Sequence, residues 1–154
     1  GTAMGAFAGL FSFLVWTFMP PNPLTAFVFA PAYSLGPARG NFWSLAICFV
    51  PRILTGTVAA ACLRLFTRLK WKVPAAYAVS GALGSLTNTA LVLGGIYLFF
   101  GSTYASAIGQ NYGALPALVG LTVLTNGLPE AVVGAAVAYF VGYPLKKHQK
   151  HNFE

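Results

Sequence analysis

Ser80 to Phe100, SGALGSLTNTALVLGGIYLFF, is long enough to cross a bilayer as a helix, at ~20 residues and ~1.5 Å of rise each. Near its middle it carries Ser85, Thr87, Asn88 and Thr89. Lipid offers an amide no hydrogen bonds at that depth, so the cluster must face protein, water or a ligand. The rest of the chain has to enclose it.

Composition agrees. Of the residues, 57% are hydrophobic and 7% charged, where a soluble chain carries roughly a quarter charged. The expected fold is an all-α integral membrane bundle in one transmembrane domain, 1–154. The net charge of +7 raises nucleic acid as a partner. However, the basic residues stand between or after apolar runs, without the interleaved aromatics of a strand-binding groove. Cys48 and Cys62 share one apolar run and would lie ~21 Å apart on a helix, too far to pair.

Four spans are expected, at about 3–19, 42–66, 76–100 and 113–142. An outer loop, 20–41, a cytoplasmic loop, 67–75, and a cytoplasmic tail, 143–154, connect and end them. The orientation follows from Arg64, Arg68, Lys70 and Lys72 in the loop and Lys146, Lys147 and Lys150 in the tail, which fall on one side. The first run starts abruptly with no charged flank, so further spans are expected ahead of it, in an even number if the whole protein also starts inside.

The connector PPNPLTAFVFAPAYSLGPARGN should lie outside the hydrocarbon. Phe27, Phe29 and Tyr33 are either closing groups of a lid over a binding site or aromatics resting at headgroup level. In the next span Arg52 costs ~2.5–3.5 kcal/mol to insert and by default faces the interior as a functional group. Its structural alternatives are snorkelling or pairing with Glu130. Pro51 before it leaves the Ile47 carbonyl without its helical donor.

Small residues recur at helical spacing: Gly5 with Gly9, Gly134 with Ala138 and Gly142, and Gly113, Gly120, Gly127 and Gly134 every seventh position. Such faces let helices approach closely, either within the chain or against a partner subunit, for which the first two sets are candidates. Asn126 and Glu130 stand at i and i+4 on one face, and Pro129 between them should distort the helix.

Counting ~1.5 Å per residue from the outer ends puts Arg52 ~15 Å down, Asn88 ~18 Å, Asn126 ~20 Å and Glu130 ~26 Å. Arg52, Asn88 and Asn126 can therefore converge in one cavity. Thr55 and Thr87 would add hydroxyls, and Trp43 and Tyr97 aromatic walls. Glu130, deeper, either contacts the ligand or holds Arg52 through a longer network. One fixed cation with two amides suits a small anion that carries hydroxyl or amide groups.

The strings FVPRILTG (Phe49 to Gly56), GSLTNTALVLGGIYLFFG (Gly84 to Gly101) and NGLPEAVVGAAVAY (Asn126 to Tyr139) resemble the substrate-binding S components of energy-coupling factor vitamin transporters. The likeness is nearest to the pantothenate-specific branch, covers most of Phe42 to Tyr143, and extends to GAFAGLFSF, which is similar to that family's third helix. Members have six spans, so the resemblance implies two more ahead of these four, with an alanine-rich motif in the first. It also implies a prokaryotic plasma-membrane subunit that captures pantothenate outside and hands it to a transmembrane coupling subunit with two ATPases. Another anionic vitamin, such as folate, and a self-sufficient small-solute carrier are the alternatives.

The residues bear on other classes. No GxxxxGK[ST] loop occurs, so energy should come from partners and no enzymatic activity is expected. Glu130 is the only acid within the spans, with no histidine beside it, and His148 and His151 sit in the polar tail. No cofactor or metal is expected. A channel would repeat polar faces along a full pore, whereas these cluster in one band of depth.

Overall fold

The structure, a computed structural model, describes residues 1–36, 38–142 and 144. The expected tail cluster Lys146, Lys147 and Lys150, with His148, His151 and Tyr143, lies outside the described residues. The chain is a multi-pass helical bundle. Helix α1 (Thr2–Phe18) leads through a 3-10 turn (Pro23–Val28) and a two-residue antiparallel ladder, β1 (Ser34–Leu35) with β2 (Ala38–Arg39). Helices α2 (Phe42–Arg68) and α3 (Val73–Ala107) follow. The last span, Tyr112–Gly142, is built from α4 (Leu115–Thr122), a π-turn (Val123–Gly127), α5 (Leu128–Val137) and a second π-turn (Ala138–Gly142).

Three of these helical segments are long and apolar enough to cross a membrane; α1, at 17 residues, is a shorter apolar helix. Helix α3 is longer than the expected 76–100. Its 35 residues rise about 52 Å, well past a ~30 Å hydrocarbon core. The run after Phe100, GSTYASA, contains no helix breaker beyond Gly101, so the helix continues until Gly109 takes φ +69. There the Gln110 N–H donates to the Ala105 carbonyl at 2.8 Å and the Gly109 N–H to Ser106 at 3.1 Å, closing the helix end.

The connector is a folded cap. Phe27, Val28 and Phe29 are buried with Ile47, Ile96 and Phe100 in the main hydrophobic cluster, and Tyr33 packs against it. The Ser44 hydroxyl donates to the Phe27 carbonyl at 2.7 Å and accepts the Asn41 N–H at 3.1 Å. Asn41 Oδ1 in turn accepts the Trp43 N–H at 2.9 Å. The device that starts α2 therefore also fastens the cap.

Further along, helices meet through glycine. A Cβ on Gly5 would strike the Arg52 carbonyl, one on Gly9 would press on Phe49, and Gly56 rests on Gly1. Gly81 and Gly134 face each other across the seam between α3 and the last span, and Gly142 sits against the Tyr77 ring. The large residues of α1, including Met4, Phe7 and Phe11, point outward instead. These seams bear on two expectations. Gly5 with Gly9 pack on the chain's own α2, and Gly134, Ala138 and Gly142 on its α3, with Gly134 and Ala138 also lining an open groove. Of the seven-residue glycine series, only Gly127 and Gly134 pack against α3; Gly113 and Gly120 face open space.

Candidate functional site

Pro51 has no N–H to give the Ile47 carbonyl, and the structure shows what replaces it: Arg52 Nη1 donates to that oxygen at 3.2 Å. One of the guanidinium's five donors thus fixes the side chain against its own helix. The Arg52 guanidinium carbon also lies 5.7 Å from the centroid of the Phe29 ring, and Phe29 stacks on Trp16 at 4.4 Å. Cap and α1 together hold an aromatic roof beside the cation.

Opposite stands Glu130, in the first turn of α5. The Thr89 hydroxyl donates to its Oε2 at 3.2 Å and has the Ser85 carbonyl at 3.3 Å as a second acceptor. Just ahead, where Pro129 withholds an N–H from the Thr125 carbonyl, the helix widens into the π-turn that carries Asn126, with the Leu128 N–H donating to Val123. Wide turns of this kind re-aim side chains and recur at functional sites.

These groups share one cavity of about 350 Å³. Trp16 comes from α1, Asn22, Thr25 and Phe29 from the cap, Arg52 from α2, and Asn88, Thr89 and Tyr104 from α3. The last span adds Thr122, Asn126 and Glu130, and Val92, Leu93 and Ile96 make the apolar wall. Among the described residues, Arg52 and Glu130 form no direct ion pair, and the Asn88 and Asn126 side chains make no hydrogen bond. On its other side the wall of Asn88, Asn126 and Glu130 borders an open groove between α3 and the last span, which Ser85 and Thr125 also line. No group of three or more His, Cys, Asp and Glu among the described residues could hold a metal, and Cys48 and Cys62 are free thiols.

Four expected site residues lie elsewhere. Thr55 donates to the Pro51 carbonyl at 2.7 Å and packs near Gly84, one turn beyond Arg52. Thr87 donates to Leu83 at 2.7 Å, a third of a turn away from Asn88. Trp43 stacks on Phe99 at 4.1 Å over a separate apolar groove between α2 and α3. Tyr97 stacks on Tyr112 at 5.8 Å. Of the cap aromatics, Phe29 lines the cavity, while Phe27 and Tyr33 belong to the hydrophobic cluster. The cavity also draws in Trp16, Asn22, Thr25, Thr89, Tyr104 and Thr122, which sequence reasoning passed over as site residues. A helical spacing would have found some: Thr122, Asn126 and Glu130 stand at i, i+4 and i+8, and Asn88, Val92 and Ile96 do the same.

No protein-family model matches the chain, and no solved structure matches it. Among curated proteins, the pantothenic acid transporter PanT of Lactococcus lactis is 32% identical over 153 residues, covering 99% of this chain and 71% of PanT. The chain belongs to the PanT family. That membership bears out the resemblance to the pantothenate-type branch read from the three sequence strings.

Proposed function

We propose that this chain binds pantothenate in the cavity between cap and bundle and serves as the capture subunit of an energy-coupling factor importer in the plasma membrane. The observation that carries the reading is Arg52. It is a membrane-embedded guanidinium with one donor spent on Ile47, facing a cavity also lined by two amides with no hydrogen-bond partner among the described residues. Its remaining donors suit a carboxylate, and Asn88 and Asn126 suit the amide and hydroxyls that pantothenate carries beyond it. A volume of about 350 Å³ is at the small end of the ~300–1,000 Å³ range for ligand pockets.

Calorimetric titration of the purified protein with pantothenate tests this. Arg52→Ala should weaken binding by ~2–5 kcal/mol, because a buried carboxylate loses its charged partner. Arg52→Lys should recover only part of it, the planar fork being lost. Asn88→Leu and Asn126→Leu should each lower affinity while the protein stays monodisperse. Near-native binding by the alanine variant would overturn the assignment.

The chain captures without pumping. Its polar side chains gather around the cavity, while the seams toward the basic loop are glycine and alanine packed on backbone, so release requires a large movement driven by partners. Liposomes holding only this protein should bind labelled pantothenate and accumulate none. Adding a coupling subunit and its ATPases should start ATP-dependent uptake, and uptake without them would identify a self-sufficient carrier.

A further inference from the structure

The cavity holds one cation and one anion that form no direct ion pair among the described residues. Arg52 spends one N–H on Ile47 and faces Phe29. Among the described residues Glu130 receives a single hydroxyl, from Thr89, which has the Ser85 carbonyl as an alternative acceptor. A carboxylate offers about four lone-pair sites, so most of its accepting capacity remains open to a ligand, and the side chain is exposed. Asn88 and Asn126 line the same cavity. A ligand that satisfies this wall presents an anion to the guanidinium and hydrogen-bond donors to the carboxylate.

We propose that Glu130 is a specificity-determining residue: it accepts the hydroxyls at the end of the ligand away from its carboxylate, and it repels a second anion there. This rests on the pantothenate reading. The site would therefore take pantothenate with its primary hydroxyl free and reject the monophosphate ester of that hydroxyl. The ester offers Glu130 negative oxygens in place of a donor, and bringing like charges together is a means of exclusion. The selectivity is chemical: both ligands present the same carboxylate to Arg52 and differ at the end that meets Glu130.

Equilibrium titrations of the intact protein with pantothenate and with its synthetic phosphate monoester test the proposal. The parent should prefer pantothenate by about 100-fold or more. Glu130→Gln keeps the shape and an acceptor oxygen while removing the charge; it should bind pantothenate more weakly and shrink the preference at least about tenfold. A merely structural role would lower both affinities together and leave their ratio unchanged, which overturns the proposal. Equal binding of both ligands by the parent also overturns it, whatever the variant does, since the second anion would then be accommodated, for instance in the adjoining groove. Failure of the parent to bind pantothenate at all would instead bring down the underlying functional reading, and this inference with it.

Discussion

The two ends of the bundle are packed by different means. At the cap end the interior is made of large side chains: Phe27 meets Phe100 edge-on at 5.8 Å, and Leu115 is fully buried. At the end that bears Arg64, Arg68, Lys70 and Lys72, helices approach backbone to backbone, through Gly1 on Gly56 and Gly81 on Gly134. Side chains that meet across a gap can leave a volume between them; backbones in contact cannot. The cavity accordingly lies at the junction, with Phe29 and Trp16 above it and Arg52, whose carbonyl touches Gly5, at its edge. In lipid the glycine seam is a productive solution, because apolar side chains gain little by leaving hydrocarbon and close backbone contact supplies the packing.

The contrast is broken most severely at the seam. Gly81→Val would drive a branched side chain into the Gly134 carbonyl and Ala138, where no flexible group can yield. We expect a loss of more than about 4 kcal/mol, read as failure to purify as a monodisperse species or as a large drop in melting temperature in detergent. Gly120→Ala, on the same span as Gly134 but facing open space, should instead be neutral or stabilising by up to about 1 kcal/mol. Equal damage from both would show that these glycines matter for helix flexibility rather than for the seam.

At the cap end, Phe27→Ala should cost about 3–5 kcal/mol of stability by leaving a cavity in the main cluster. Phe27 does not line the cavity beside Arg52; it seats the cap that places Phe29 there. Phe29→Ala should therefore show the larger ratio of affinity loss to stability loss. Melting curves paired with pantothenate titration on the two variants separate anchoring from roofing, and identical ratios would show that the cap acts as one body.

The same division explains what could be read in the sequence. Depth was legible, because helical rise is fixed and the spans alternate in direction: Arg52, Asn88 and Asn126 are expected to converge and line one cavity, which Glu130, expected deeper, also lines. Azimuth was much less so. A lipid-solvated helix is apolar on every side, so nothing in the hydropathy separates Thr87 from Thr89, two residues and about 200° apart, though only the second reaches Glu130. The same ambiguity placed Tyr97 at the site when its neighbour Ile96 lines it. The cap was illegible for another reason. Its fold rests on long-range contacts such as the hydrogen bond from Ser44 to Phe27, and on aromatic burial without any period.

The smallest expected effect is at the basic end, where α2 stops. The Trp71 N–H donates to the Phe66 carbonyl at 3.1 Å, and the two rings stack at 4.5 Å, so the hydrogen bond and the apolar clasp of a helix stop are both present. The residue between them in the left-handed conformation is Lys70, at φ 57, where helices ordinarily place glycine. A Cβ in that region costs roughly 1–2 kcal/mol, and Lys70 lies outside both the seam and the cavity. Lys70→Gly should raise stability by about 1 kcal/mol, partly offset by the greater freedom of glycine in the unfolded chain. Pantothenate affinity should not change. A gain in melting temperature would show the loop-side stop to be independent of the glycine seam next to it, whereas a loss would mean that the lysine ammonium contributes more at this end than the strain its backbone imposes.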